Sequence, residues 1–159
     1  MFGLKNAILG NTMEKSNIEG FFTPSKENKT TIPLLNVGIP AGFASPADDY
    51  VESQLDFNAY LIEKPLATFA VKVTGNSMEP LIMAGDIIVV DKSRISFLEA
   101  MHDKIIVAAV DGEFFIKRLL VKDKTLWLYS ENPDYPPREV KKSDDFVLWG
   151  VATGLVRKL

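Results

Sequence analysis

Asp111-Gly112 sits between two apolar runs, Ile105–Val110 and Phe114–Leu120, and this junction constrains the fold more than any other feature of the chain. Aspartate followed by glycine tolerates the positive φ values of a tight two-residue turn, whose twist matches that of paired strands. The two runs are predicted to form an antiparallel hairpin in which side chains alternate between two faces. Upstream, Phe69, Val71 and Val73 alternate with Thr68, Ala70, Lys72 and Thr74, the period of a strand. Ile87–Val90, Leu126–Tyr129 and Phe146–Val151 add further strands, set apart by turn residues and by the proline-rich loop Asn132–Pro137. Long helices do not alternate with these strands. The expected fold is mainly β and compact, with curled antiparallel sheets.

Asp56 can cap a short helix carrying Phe57, Tyr60 and Leu61, which should end before Pro65 because the residue preceding proline avoids helical geometry. Ser96-Phe97-Leu98-Glu99 has the form of a capping box and predicts a second short helix before Met101. Between Asn11 and Thr31 a mostly polar stretch, interrupted by Ile18 and Phe21-Phe22, reads as a flexible N-terminal arm. Leu34–Pro40, apolar and flanked by Pro33 and Pro40, reads as an extended tether.

Composition narrows the chemistry. The chain of 159 residues has no cysteine and one histidine, His102, so disulfides, thiol catalysis and thiolate or histidine metal sites are not expected, and no cofactor is implied. A formal charge of −3 argues against broad direct DNA binding, which depends on a basic face that neutralises phosphates. The longest apolar runs fall far short of the roughly 20 residues that span a bilayer. The start lacks the continuous apolar stretch of a secretory signal, so the cytoplasm is the expected compartment.

Any covalent chemistry must then come from other residues, and Ser77 and Lys117 stand out. On a strand through Phe114–Leu120, Lys117 shares a face with Phe115 and Leu119, so its amine would lie among apolar groups. A solvated lysine titrates near about 10.4, and deprotonating it at pH 7 costs about 4.6 kcal/mol. Burial can lower that value by up to about 3–5 units and leave a neutral amine able to accept a serine proton. Ser77 lies in a Gly75-Asn76-Ser77 bend just before Pro80, a residue suited to the first turn of a helix. Backbone N–H groups at this bend, those of Asn76 and Ser77, could stabilise an oxyanion. On residue types alone, Ser77 reads equally as a turn serine and Lys117 as a lysine whose amine snorkels to water. Arg118 is expected as a surface cation on the opposite face, His102 as a solvated loop residue, and Trp127 and Trp149 as core aromatics.

Several ordered blocks carry a resemblance that decides between these readings. They are Ile39-Pro40-Ala41-Gly42-Phe43-Ala44-Ser45-Pro46-Ala47-Asp48-Asp49-Tyr50-Val51-Glu52, then Gly75-Asn76-Ser77-Met78, Ala84-Gly85-Asp86, and Ala108-Ala109-Val110-Asp111-Gly112-Glu113-Phe114. In order and spacing the chain resembles the LexA/UmuD family of self-cleaving Ser-Lys peptidases, and within it the UmuD branch, from about Val37 onward. The resemblance implies that Ser77 is the nucleophile, Lys117 its general base, and Ala41–Gly42 the bond cut in the protein itself. It divides the chain into an arm, residues 1–41, and a peptidase domain, residues 42–159. It further implies a homodimer, activation by the RecA filament on damaged DNA, and entry of the shortened form into a translesion complex with a UmuC-type error-prone DNA polymerase. Ala41 stands where UmuD proteins often have cysteine, and the region before it is longer than in the typical UmuD.

Related activities are weighed against the same residues. A LexA or phage-type repressor needs a helix-turn-helix domain, whereas the polar stretch before Gly42 lacks two successive amphipathic helices. Signal peptidases require membrane attachment, and no such segment is seen. A noncatalytic interaction module of the same fold would not need Ser77 and Lys117 together.

Overall fold

The computed structural model describes residues 16–24, 31–35 and 51–159. Among these, ten strands form two antiparallel sheets: β1 (Ile18–Phe22), β2 (Thr31–Leu35), β3 (Val51–Asp56), β4 (Thr68–Val73), β5 (Ile87–Asp91), β6 (Lys104–Val110), β7 (Glu113–Lys122), β8 (Thr125–Tyr129), β9 (Arg138–Val140) and β10 (Phe146–Val156). Eight of them build one curled sheet in the order β1-β4-β5-β10-β6-β7-β8-β9, while β2 and β3 pair separately. The mainly β expectation therefore holds.

The Asp-Gly hairpin is present in the predicted register. Val110 pairs with Glu113 across a turn whose Asp111 and Gly112 have φ of 52° and 83°. Pairing continues to Lys104 opposite Leu119, so Val107 and Ile116 share one face while Ile106 and Lys117 share the other. Each face has its own buried cluster. One gathers Val71, Val73, Met78, Ile82, Val90, Val107 and Ile116; the other gathers Met101, Ile106, Phe115, Leu119 and Leu128. A sheet buried on both sides explains why the central strands are continuous apolar runs rather than alternating ones.

Curvature is concentrated in β10, whose pairing shifts between Leu148 and Gly150 against β6 and between Ala152 and Gly154 against β5. Such bulges bend a strand and increase its twist. At Gly150 the neighbouring strand comes so close that an added Cβ would lie 2.6 Å from Val90 Cγ1 and 3.2 Å from the Asp91 carbonyl oxygen.

Three expectations are corrected. Within the stretch read as an arm, Ile18–Phe22 forms a strand paired with β4. Its few apolar side chains supply the reason: Ile18 packs on the first cluster, and the Phe21 ring lies 4.9 Å from Phe114, 5.5 Å from Trp149 and 5.7 Å from Phe69. The capping box does not form, because the short 3-10 helix Leu98–Met101 begins after Phe97 with no side-chain cap, and burial of Met101 fixes it instead. No helix follows Pro80; the chain there runs through successive turns held by Met78 and Ile82 in the first cluster. The other short helix, α1 (Phe57–Leu61), is capped as expected by Asp56, which accepts from the N–H groups of Asn58 and Ala59.

Gly150→Ala is expected to destabilise the protein by about 1–3 kcal/mol, because the fully buried Val90 has little room to yield. Urea denaturation of the parent and the variant measures this directly, and equal midpoints would refute the close-approach argument.

Candidate active site

Ser77 and Lys117 are both buried, 3% and 4% exposed, although serine and lysine usually face water. They reach the same part of the molecule by different routes. Lys117 projects from β7 on the Phe115 and Leu119 face, as the strand period predicted. Ser77 lies on the loop between β4 and β5, where Gly75 takes a φ of 72° to start the bend and Met78 drops into the first cluster.

Both border a notch where β8 leaves β7. Pairing between these strands ends at Arg118 opposite Tyr129, so the next residues of the chain, Ser130 to Tyr135, turn away from the sheet. This departing segment holds both candidates. The Lys117 amine donates to Ser130 Oγ at 2.7 Å and lies 5.5 Å from the centre of the Tyr135 ring. On the serine side, Asn132 N–H donates to the Ser77 carbonyl at 3.0 Å, and its side chain donates to the Asn76 carbonyl at 3.0 Å. Tyr135 adds a 2.6 Å bond from its hydroxyl to Asn76 Oδ1. Asn17, just before β1, donates from Nδ2 to Ser77 Oγ at 3.2 Å. An interior hydroxyl with a fixed donor and a lysine with a fixed hydroxyl partner are polar groups kept in place at a desolvation cost, as at sites of chemistry.

Asp86 closes the far end of the serine loop. Its backbone carbonyl accepts from Val73 N–H at 2.9 Å, and Gly85 N–H returns to the Val73 carbonyl at 2.9 Å. The buried Asp86 carboxylate accepts from Met83 N–H at 2.8 Å and from both Nε and Nη2 of Arg157 in β10's extension. The Arg157 hydrogen bonds hold this carboxyl below the usual carboxylate range, against the opposing push of burial. The loop is thereby tied at both ends to the sheet.

The remaining sequence-selected residues fall outside the notch or take other roles. Ala41 and Gly42 lie outside the described residues. Arg118, expected as an edge or surface cation, is instead half-buried on a strand paired on both sides, where it pairs with Glu131 at 2.6 Å and Asp103 at 3.1 Å. His102 is exposed, yet its Nδ1 accepts from Val121 N–H at 2.9 Å, so it fastens a loop to β7. Trp149 joins Phe21, Phe69 and Phe114 in an aromatic cluster, and Trp127 is half-buried on β8. Asn17, Ser130, Asn132 and Tyr135 were not singled out from the sequence. For Asn132 and Tyr135 the local signal was the turn-forming composition of Asn132–Pro137, which gives no hint of a partner near Asn76 or Ser77.

The family model for "Peptidase S24-like" matches residues 33–153. The chain belongs to the S24 peptidase family. Membership makes it a relative of serine peptidases and agrees with the LexA/UmuD resemblance. Among similar proteins, SamA of Salmonella typhimurium is 41% identical over 134 residues, spanning 82% of this chain and 88% of its own length. MucA of Escherichia coli is 38% identical over 125 residues, spanning 77% and 82%. A LexA repressor from Polaromonas naphthalenivorans is 33% identical over 147 residues, spanning 91% of this chain and 60% of the repressor. Among the described residues of this S24 family member, no helix is long and apolar enough to cross a membrane.

Because the Asp86 carboxyl titrates lower in the folded protein than in the unfolded chain, its stabilisation is present above the unfolded value, about 3.9, and is lost as the pH falls through the folded value. Asp86→Asn is therefore expected to melt at a lower temperature than the parent at pH 7, with the gap closing below about pH 4 as the parent's carboxyl protonates. Thermal melts followed by circular dichroism across pH 3–7 test this; a gap that widens in acid would reverse the assignment.

Proposed function

We propose that this protein is a self-cleaving serine peptidase of the DNA-damage (SOS) response, which cuts its own Ala41–Gly42 bond so that the shortened form can join an error-prone translesion polymerase. The observation that carries the reading is the burial of Ser77 and Lys117 beside one departing segment, Ser130–Tyr135, in a member of the S24 peptidase family. In this reading Lys117 acts in its neutral form, as the general base that accepts the Ser77 proton.

In the proposed reaction the Ser77 Oγ attacks the Ala41 carbonyl carbon while its proton passes to the Lys117 amine. The tetrahedral oxyanion is stabilised by N–H groups at the Asn76–Ser77 bend. Its collapse breaks the bond to Gly42, whose nitrogen takes the proton from Lys117, and Ala41 remains esterified to Ser77. Water, deprotonated by the same amine, hydrolyses that ester and restores the serine. Ala41 is small, Gly42 admits close approach, and Pro40 favours the extended chain that peptidases bind. The polymerase of the UmuC type, the RecA filament as activator and the homodimer rest on the LexA/UmuD resemblance, carried by the blocks quoted above, and the cytoplasmic setting on the absence of a signal-like start.

Purified protein held at about pH 10, where lysine amines lose their protons, is expected to release a fragment beginning at Gly42, identified by mass spectrometry. Ser77→Ala and Lys117→Ala should each slow its release by at least about 100-fold. At neutral pH, activated RecA filament should accelerate the same cut. A parent chain that stays intact under both conditions would instead support a noncatalytic interaction module, and undiminished cleavage in either variant would remove that residue from the site.

A further inference from the structure

The side chain of Asn17 is 4% exposed, and every polar atom of its amide is engaged. Oδ1 accepts from Ile116 N–H at 2.8 Å, while Nδ2 donates to the Ile116 carbonyl at 3.3 Å and to Ser77 Oγ at 3.2 Å. Its backbone carbonyl accepts from Thr74 N–H at 2.9 Å, at the entry to the serine loop. Ile116 immediately precedes Lys117 and lies just beyond the last pair of β7 with β8, Arg118 opposite Tyr129. The Asn17 amide thus stands in for the missing strand: it presents to Ile116 the donor and acceptor that a neighbouring peptide group would supply.

One side chain therefore holds the backbone next to Lys117 and the Ser77 hydroxyl in a single hydrogen-bonded unit. Because Nδ2 can only donate, Ser77 Oγ is an acceptor in this bond and its own proton is directed to a different partner. A donor on Oγ also favours the charge that develops as that proton leaves.

We propose that Asn17 is a positioning residue of the peptidase site, contributed by the segment that cutting at Ala41–Gly42 would separate from the rest of the chain. The proposal rests on the self-cleavage reading and deepens it: the site is complete only while the amino-terminal segment is docked through β1. Departure of that segment takes away the donor to Ser77 and the partner of Ile116 together, so the cut dismantles the arrangement that made it.

The test compares full-length parent, Asn17→Ala, Asn17→Asp and Ser77→Ala for release of the Gly42 fragment between pH 7 and 11, at a temperature well below the melting point of each. Asn17→Ala should slow cleavage at least about tenfold, in line with the cost of small displacements at a reacting centre. Asn17→Asp keeps the size but loses the donor and places a carboxylate beside the serine, with Ser130 and Tyr135 unchanged next to Lys117. It should move the midpoint of the rate profile upward by about one pH unit, because a nearby negative charge favours the ammonium form of a lysine. A purely structural asparagine would lower the melting temperature and leave that midpoint in place. Cleavage within about twofold of the parent in both Asn17 variants, or faster cleavage in Asn17→Ala, overturns the proposal when Ser77→Ala is inactive. Cleavage by Ser77→Ala at the parental rate overturns the peptidase reading itself, and this inference with it.

Discussion

The register of the β6–β7 ladder is the constraint on which the rest of the structure depends. Seven consecutive pairs, from Lys104 opposite Leu119 to Val110 opposite Glu113, assign every side chain of β7 to a face. A slip of one residue would exchange Ile116 and Lys117, placing an amine in the apolar cluster around Val71 and Val90. The penalty for burying an uncompensated ammonium there is far larger than any gain from a slipped ladder. The Asp111-Gly112 turn, with both residues at positive φ, excludes the slip from the other end.

That register creates the notch. β7 is longer than β8, and among the described residues no strand pairs with its residues before Arg118 on that side. A sheet edge left bare inside a protein is costly because its N–H and C=O groups lose water without gaining a bond. Here the edge is finished at Ile116 by the Asn17 amide instead of by a strand, and the Lys117 amine beside it is held by Ser130 Oγ. The serine loop meets the same gap through Asn132 and Tyr135. Among the described residues, the candidate site therefore lies where the pairing of β7 with β8 stops, and the Asn17 amide answers the unmet need of the backbone there.

Much of this was legible in advance. Strand positions followed from apolar periodicity, the hairpin from Asp-Gly, and the cap of α1 from Asp56, because each depends on residues close together in the chain. Ser77 and Lys117 were legible as types and as members of a family pattern. The errors have a common cause. Ile18–Phe22 lies within a mostly polar stretch and its Glu19-Gly20 step breaks the strand pattern, so the packing of the Phe21 ring against Phe114 and Trp149, distant in sequence, is what makes it one. Ser96 has the right neighbours for a cap, yet the burial of Met101 sets where that short helix begins.

Local residue order by itself determined the strands, the hairpin register and hence the face from which Lys117 projects, since alternation and turn geometry act within a few residues. It also determined, through its ordered blocks, the family to which the chain belongs. Tertiary structure alone decided what surrounds the two candidate residues. Asn17 meets Ser77 across 60 positions and Ile116 across 99, and such bonds depend on the curl of the sheet bringing β1, the serine loop and the end of β8 to one notch. Hydrogen bonds over that separation leave no periodic trace in a sequence, because any polar residue at those positions would read as loop.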